Sequence, residues 1–316
     1  MNQETVKKRI DFSQMTTLLV LIVLCIILSI LKPVFLTPNN LINIITQVTV
    51  NAIVAIGMTF VILTGGIDLS VGSVLGLAGI VMGMMMKAGI PVIVAILVSI
   101  LVGIVCGAVS GVLVTIGKLP PFIATLGIMN IARAVALTIS KGGNMSAFPE
   151  SFTWIGVGTI FGTGIPVQVL FMLILYVLAY YLLRYRQTGR FVYAIGGNKE
   201  ATRLSGVNVR FYEMLTYIIS GFTAAFAAIV LTAKLNAAQP TAGMNYELDA
   251  VAAVVIGGTS LNGGVGSIWG TLLGAIVIGV IRNGLNLLNA NSYLQQGIIG
   301  CVIILAVLLD VAKKES

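Results

Sequence analysis

Ten long apolar runs, parted only by short polar or glycine-rich breaks, constrain this chain more than any other feature. They fall at about 15–36, 41–63, 71–86, 92–116, 121–140, 167–184, 211–234, 248–264, 267–288 and 293–311. A bilayer core about 30 Å thick needs about 20 apolar residues per crossing helix. Backbone polar groups in lipid must be satisfied internally, so only helices or closed barrels can cross. Barrel strands read as short segments of alternating hydrophobicity, and no such segments dominate here. The fold class that follows is all-α, a polytopic membrane protein of about ten transmembrane helices. Composition agrees: only 9% of the residues are charged and the mean hydropathy is +1.07, where a soluble domain carries about 25% charged residues.

The placement of charge sets the orientation. The net charge of +8 does not point to nucleic acid, because the basic residues lie in the breaks between runs. With the N-terminus in the cytoplasm, Lys7, Lys8, Arg9, Lys118, Arg184, Arg186, Arg190, Lys199, Arg203, Arg210, Lys313 and Lys314 all face inward. Those are two thirds of the chain's 18 Lys and Arg, and the positive-inside rule favours this arrangement over its inverse. The expected organisation is a cytoplasmic tail at 1–14, one membrane domain at 15–311 and a cytoplasmic tail at 312–316. The start resembles a signal peptide, but its apolar run is too long for a typical h-region, and it is read as an uncleaved first span. Two long breaks stand out: an outer loop at 141–166, rich in Gly, Ser, Phe and Trp, and an inner, basic loop at 185–210.

Several chemistries are missing. The chain has no histidine, which removes the commonest general base and metal ligand. Cys25, Cys106 and Cys301 all lie inside apolar runs, an odd number that implies no disulfide framework. No G-x-x-x-x-G-K-[ST] phosphate loop occurs, and no mid-helix carboxylate has a histidine or lysine partner of the kind proton relays use. Active transport by such a chain would draw its energy from a partner, with the loop at 185–210 as the natural dock.

Four polar features interrupt the apolar pattern. The stretch Gly65-Gly66-Ile67-Asp68-Leu69-Ser70-Val71-Gly72 allows a sharp turn, with Ser70 a candidate cap and Asp68 suited to the following helix N-terminus. Asp68 is equally a candidate for the solute pathway, because ionisable groups at membrane depth are costly to keep. In 240–249, Glu247 and Asp249 open the eighth run, either as N-terminal capping carboxylates or as part of a pore mouth or partner-docking segment. Arg282 is followed by Asn283, Asn286 and Asn289 on one helix face, and Asn130 lies three before Arg133. These stripes either line a hydrophilic path or bond neighbouring helices. The path candidates are Asp68, Ser70, Asn130, Asn283 and Asn286. A faint echo, Val61-Ile62…Gly65-Gly66…Gly72-Ser73 against Val255-Ile256…Gly257-Gly258…Gly266-Ser267, suggests an internal repeat or shared helix-packing chemistry.

The stretch Gly196-Gly197-Asn198-Lys199-Glu200-Ala201-Thr202-Arg203-Leu204-Ser205-Gly206-Val207 resembles the coupling segment of sugar-type ABC importer permeases. Thr64–Gly72, Gln239–Gly243 and Tyr246–Ala250 running on to Gly257-Gly258-Thr259-Ser260-Leu261 resemble the same family. The resemblance covers about 40–310 and is nearest to ribose-importing members in Asn283-Gly284-Leu285-Asn286-Leu287-Leu288 and the last run, ending at Asp310. It implies a type II-like importer architecture in a bacterial plasma membrane. A short helix carrying Gly197, Asn198, Glu200, Ala201, Arg203, Leu204 and Gly206 would dock into a cytoplasmic ATPase. It further implies a second permease copy, an extracellular sugar-binding protein delivering solute to the outer side, and no catalysis or cofactor in this chain, with ATP and Mg bound by the ATPase. Ribose is the first expectation for the solute, with galactose, xylose and autoinducer-2 as alternatives. A self-contained secondary sugar carrier and a branched-chain amino-acid permease are the competing readings.

Overall fold

The computed structural model describes residues 12–160 and 164–315. The basic cluster Lys7, Lys8 and Arg9, residues 161–163 of the outer loop, and Ser316 lie outside the described residues. Thirteen α-helices are present among the described residues: α1 (Phe12–Leu31), α2 (Pro38–Leu63), α3 (Val71–Lys87), α4 (Val92–Thr115), α5 (Pro121–Ile139), α6 (Glu150–Val157), α7 (Val167–Tyr185), α8 (Gln187–Gly197), α9 (Lys199–Leu204), α10 (Val209–Leu235), α11 (Tyr246–Ile256), α12 (Ile268–Leu287) and α13 (Ser292–Glu315). A two-residue antiparallel pair, β1 (Met145–Ser146) with β2 (Ala237–Ala238), joins the stretch between α5 and α6 to the segment after α10.

Proline and glycine punctuate this bundle. Pro38 and Pro121 occupy the first turn of α2 and α5, where a missing N–H costs nothing and φ is already helical. Helix α2 ends in a Schellman motif: Gly66 N–H donates to Val61 C=O, Gly65 N–H to Ile62 C=O, and Gly65 takes φ 81°. Helix α11 ends the same way through Thr259, Gly258 and Val254. So do α3 and α5, at Gly89 and at Lys141-Gly142. The shared cap therefore does not distinguish an internal repeat from ordinary helix termination.

Among the described residues, six helices, α2, α4, α5, α7, α10 and α12, are long and apolar enough to cross a membrane, and shorter apolar stretches occupy α1, α3 and α13. The run at 248–264 is not one long helix: α11 has 11 residues, about 17 Å at 1.5 Å per residue, and Gly257-Gly258 stops it. The first run likewise breaks, at Lys32, into α1 and a short 3₁₀ turn at Pro33–Leu36. Helix α6 lies inside the stretch read as outer loop, and α8 and α9 lie inside the inner one.

Helices α2 and α10 form the centre. Ala52, Ile53, Val54, Ala55, Met58 and Phe60 of α2 are fully buried. Helix α4 lies at the edge, with Leu97, Leu101, Val105, Val109, Val112 and Ile116 exposed along one stripe, as a lipid-facing surface requires. Its opposite side carries Gly103, Gly107 and Gly111 at spacing four. A Cβ on Gly103 would overlap the Gly221 carbonyl, one on Gly107 the Tyr217 carbonyl, and one on Gly111 would press on Met214. Lipid tails are as apolar as leucine, so membrane helices gain by close backbone approach through small residues. This seam holds α4 to α10.

Candidate translocation and docking sites

Residues 64–70 connect α2 to α3 through a turn that is buried at Thr64, Gly66, Asp68 and Ser70 and exposed at Gly65. Asp68 and Ser70 are 1% and 2% exposed. The Asp68 carboxylate accepts from Ser70 N–H at 2.9 Å, Ser70 Oγ at 2.6 Å and Ser220 Oγ at 2.7 Å. Ser220 lies 11 residues beyond the start of α10, about 17 Å along it, so the carboxylate is held against the interior of that helix rather than its end. Three donors satisfy a carboxylate that would otherwise be costly to bury. The expectation for Ser70 needs correcting in one detail: its backbone is helical rather than extended and its side chain accepts no cap bond from α3, the hydroxyl instead donating to Asp68. Helix α5 touches this corner as well: the Thr125 hydroxyl, which donates to the Pro121 carbonyl of its own helix at 2.8 Å, also lies 3.2 Å from the Ile67 carbonyl.

A second break follows α10. From β2 the chain turns back inward through 239–245 and starts α11. Gly243, at φ 74°, lies backbone to backbone against Gly72 at the start of α3. Arg133 of α5 donates through Nη1 to the Pro240 carbonyl and, at 2.9 Å, to the Ala242 carbonyl. Asp249, 2% exposed, does more than favour a helix start. Arg282 Nη2 of α12 donates to its two oxygens at 2.7 and 2.6 Å, and Asn51 Nδ2 of α2 adds a bond at 3.1 Å. Three elements thus meet on one buried carboxylate. Arg282→Leu keeps bulk but leaves Asp249 charged and short of its partner. The expected cost is about 3–5 kcal/mol, read as a lower melting temperature in detergent, with most of it recovered in the Arg282→Leu/Asp249→Leu double variant.

The five path candidates do not converge on one site. Asp68 and Ser70 share the buried cluster above. Asn283 exchanges two hydrogen bonds with Asn40 of α2, at 3.0 and 2.9 Å, in a buried contact, as a tie between membrane helices does. Asn286 is exposed and accepts from Gln295 of α13 at 2.8 Å. Asn130 is exposed on α5 and donates only to Leu126 of its own helix, at 3.0 Å. Ser220 and Tyr217, which approach the first break from α10, are not singled out by the sequence pattern; a lone hydroxyl in an apolar run is too common to mark them.

At the end of the bundle that carries residues 187–209, α8, α9 and the start of α10 form a compact helical corner. Asn198 caps α9 by accepting from Ala201 N–H at 2.9 Å, and Gly206, at φ 83°, ends it. Lys199 pairs with the largely buried Glu213 of α10 at 2.7 Å, and Thr202 faces inward. Gly197, Asn198, Glu200, Ala201, Arg203, Leu204 and Gly206 are all exposed. Glu200 and Arg203 pair with each other, Nε to Oε2 at 3.1 Å, and the guanidinium bond holds the Glu200 carboxyl below the usual carboxylate range. Leu204 is 77% exposed. Beside it a groove of about 280 Å³ is lined by Phe191, Ala194, Asn198, Ala201, Thr202, Ser205 and Val207. The end of α8 touches both corners of the membrane domain: Gly196 packs on the Leu63 carbonyl and on Gly264, whose N–H donates to Leu63 at 2.9 Å.

An apolar bundle with two interrupted segments at its centre and an exposed helical corner at one end is the form of a membrane transport subunit. Residues 40–307 match the family described as branched-chain amino acid transport system / permease component. The chain belongs to this permease family. It is thus a non-catalytic membrane component of an ABC transport system. It is similar to the ribose import permease protein RbsC of Escherichia coli strain K12, 46% identical over 323 aligned residues that cover 99% of this chain and 100% of that protein. The protein of the same name from Bacillus subtilis strain 168 is also 46% identical, over 317 residues, 99% of this chain and 98% of its own. The D-allose transport system permease protein AlsC of Escherichia coli strain K12 is 42% identical over 296 residues, covering 93% and 90%. No solved structure matches the chain.

Proposed function

We propose that this chain forms the translocation path of an ATP-driven importer for a monosaccharide, ribose first, delivered by an extracellular binding protein. The observation that carries the reading is 46% identity, over essentially the full length of both chains, to permeases named for ribose import. Allose, the solute named for a relative at 42% identity, is a neighbouring possibility within the same chemistry. A cytoplasmic ATPase, which binds the ATP and Mg, docks on α9 through Leu204, Ala201 and the Glu200–Arg203 pair. Their common exposure supports this, because an apolar side chain such as Leu204 gains by being covered.

Both termini face the cytoplasm of a bacterial cell, as the distribution of Lys and Arg favours. Ten segments enter the bilayer, α11 being completed in depth by the 239–245 segment that precedes it. Two copies pair around the path. Asp68 and Ser70 shape its wall through the 64–70 break, Asn130 faces it from α5, and Asn283 and Asn286 brace α12 beside it. Uptake of labelled ribose by the reconstituted importer tests the solute: excess unlabelled ribose is expected to compete, and galactose or xylose at the same excess is not. Stronger competition by either of the latter would reassign the solute.

A further inference from the structure

Arg133 is a cation held at membrane depth, where charge is expensive and usually serves a purpose. It belongs to none of the ion pairs among the described residues, which are Lys199–Glu213, Arg203–Glu200 and Arg282–Asp249. Its guanidinium instead reaches from α5 past α3 and donates to two main-chain carbonyls, Pro240 and Ala242, in a segment with no regular structure. The passage exists because position 76 is glycine: an added Cβ there would lie 2.8 Å from Arg133 Nη1 and 3.1 Å from both carbonyl oxygens. Gly243 and Asn245, both in the left-handed region, flank the held residues on the α11 side. The same helix α5 reaches the other break through Thr125 and Ile67. Helix α5 therefore touches both interrupted segments, one through a hydroxyl and one through a charge.

A carbonyl contact differs from an ion pair in what its opening leaves behind. When Arg282 leaves Asp249, a buried carboxylate loses the cation bonded to it; when Arg133 leaves Pro240 and Ala242, the bonded acceptors it releases are neutral carbonyls, and Glu247 of α11 feels the withdrawn charge without having been its ion-pair partner. We propose that Arg133 is a positioning residue, a releasable latch that holds the 239–245 segment against α3, and that transport depends on this latch. The proposal rests on the transport reading above for its consequence, but not for its geometry.

The test uses the full chain assembled with its ATPase and binding protein, with Cys25, Cys106 and Cys301 replaced by alanine and Ala242→Cys as the reporter. Arg133→Gln is expected to raise the rate of N-ethylmaleimide labelling at 242 about tenfold and to lower ribose uptake by about the same factor, the scale of losing charge-assisted hydrogen bonds. ATPase assembly on α9 and the gel-filtration profile stay unchanged. Arg133→Lys, which keeps a charged donor, restores most of both readouts. Gly76→Ala, whose methyl meets the movable tip of the arginine, reproduces the Arg133→Gln pattern and decides the matter should Arg133→Gln not fold. Labelling rates within about twofold of the parent in both Arg133→Gln and Gly76→Ala, or a lysine variant no better than glutamine, overturn the latch. A parent complex that takes up no ribose overturns the transport reading instead, while the labelling comparison still decides the latch.

Discussion

Gly107→Leu is expected to abolish the folded subunit. The seam between α4 and α10 is made by backbone meeting backbone at Gly103, Gly107 and Gly221, with no movable side chain to absorb added volume. Overpacking in an ordinary core costs about 1–3 kcal/mol because neighbours can shift. At Gly107 the added atoms meet the Tyr217 carbonyl, so α4 would have to separate from α10 along its length, at a cost above that range. Tyr217 and Ser220 lie on the same stretch of α10, so the Asp68 cluster would be disturbed as well. Gly127 is the matched control: it lies in α5, also a candidate membrane helix, but a Cβ there would meet nothing within 4 Å. Gly127→Leu should leave the yield of monodisperse protein in gel filtration unchanged, whereas Gly107→Leu should remove it. Equal yields would place the holding force of α4 elsewhere.

The second large effect is expected at Leu204. The side chain is 77% exposed and its loss leaves no cavity in this chain, so Leu204→Asp should not change the melting temperature. Burying a leucine at an interface contributes about 1.5–3 kcal/mol, and a carboxylate in its place adds a desolvation cost. Binding of the ATPase subunit should therefore weaken by about ten- to hundredfold, measured by co-purification from membranes and by ATP hydrolysis of the reassembled complex. Glu200→Ala and Arg203→Ala should each weaken it less, because the two charges pair with one another at the surface, where such pairs contribute little. ATPase assembly unaffected by all three substitutions would move the dock away from α9.

Much of this fold is legible in the sequence because lipid imposes one rule on every helix. The run at 92–116 is helix α4, Val92–Thr115, almost residue for residue, since Pro91 and the basic residue after Gly117 bound it locally. Legibility fails where glycine lets two distant backbones touch. Nothing in 248–264 says that Gly257 must pack on Gly270, so an eleven-residue helix with its turn reads as a longer apolar run. Helix α9 is legible as a short capped helix because its determinants are neighbours in sequence: Asn198 caps it and Gly206 ends it. The polar stripe on α12 was readable as a face but not as a set of partners. Asn283 finds Asn40 on α2 and Asn286 finds Gln295 on α13, so one helical face serves two neighbours. The same limit hid the target of Arg133, which accepts its bonds through main-chain atoms more than a hundred residues away.

The most direct measurement is uptake of labelled ribose into liposomes, comparing this chain alone with this chain joined by its ATPase, ATP and binding protein. The account requires accumulation only when all are present, and loss of accumulation when ATP is omitted. Ribose flux through the chain alone would contradict it, because a self-contained carrier needs no docked motor at α9.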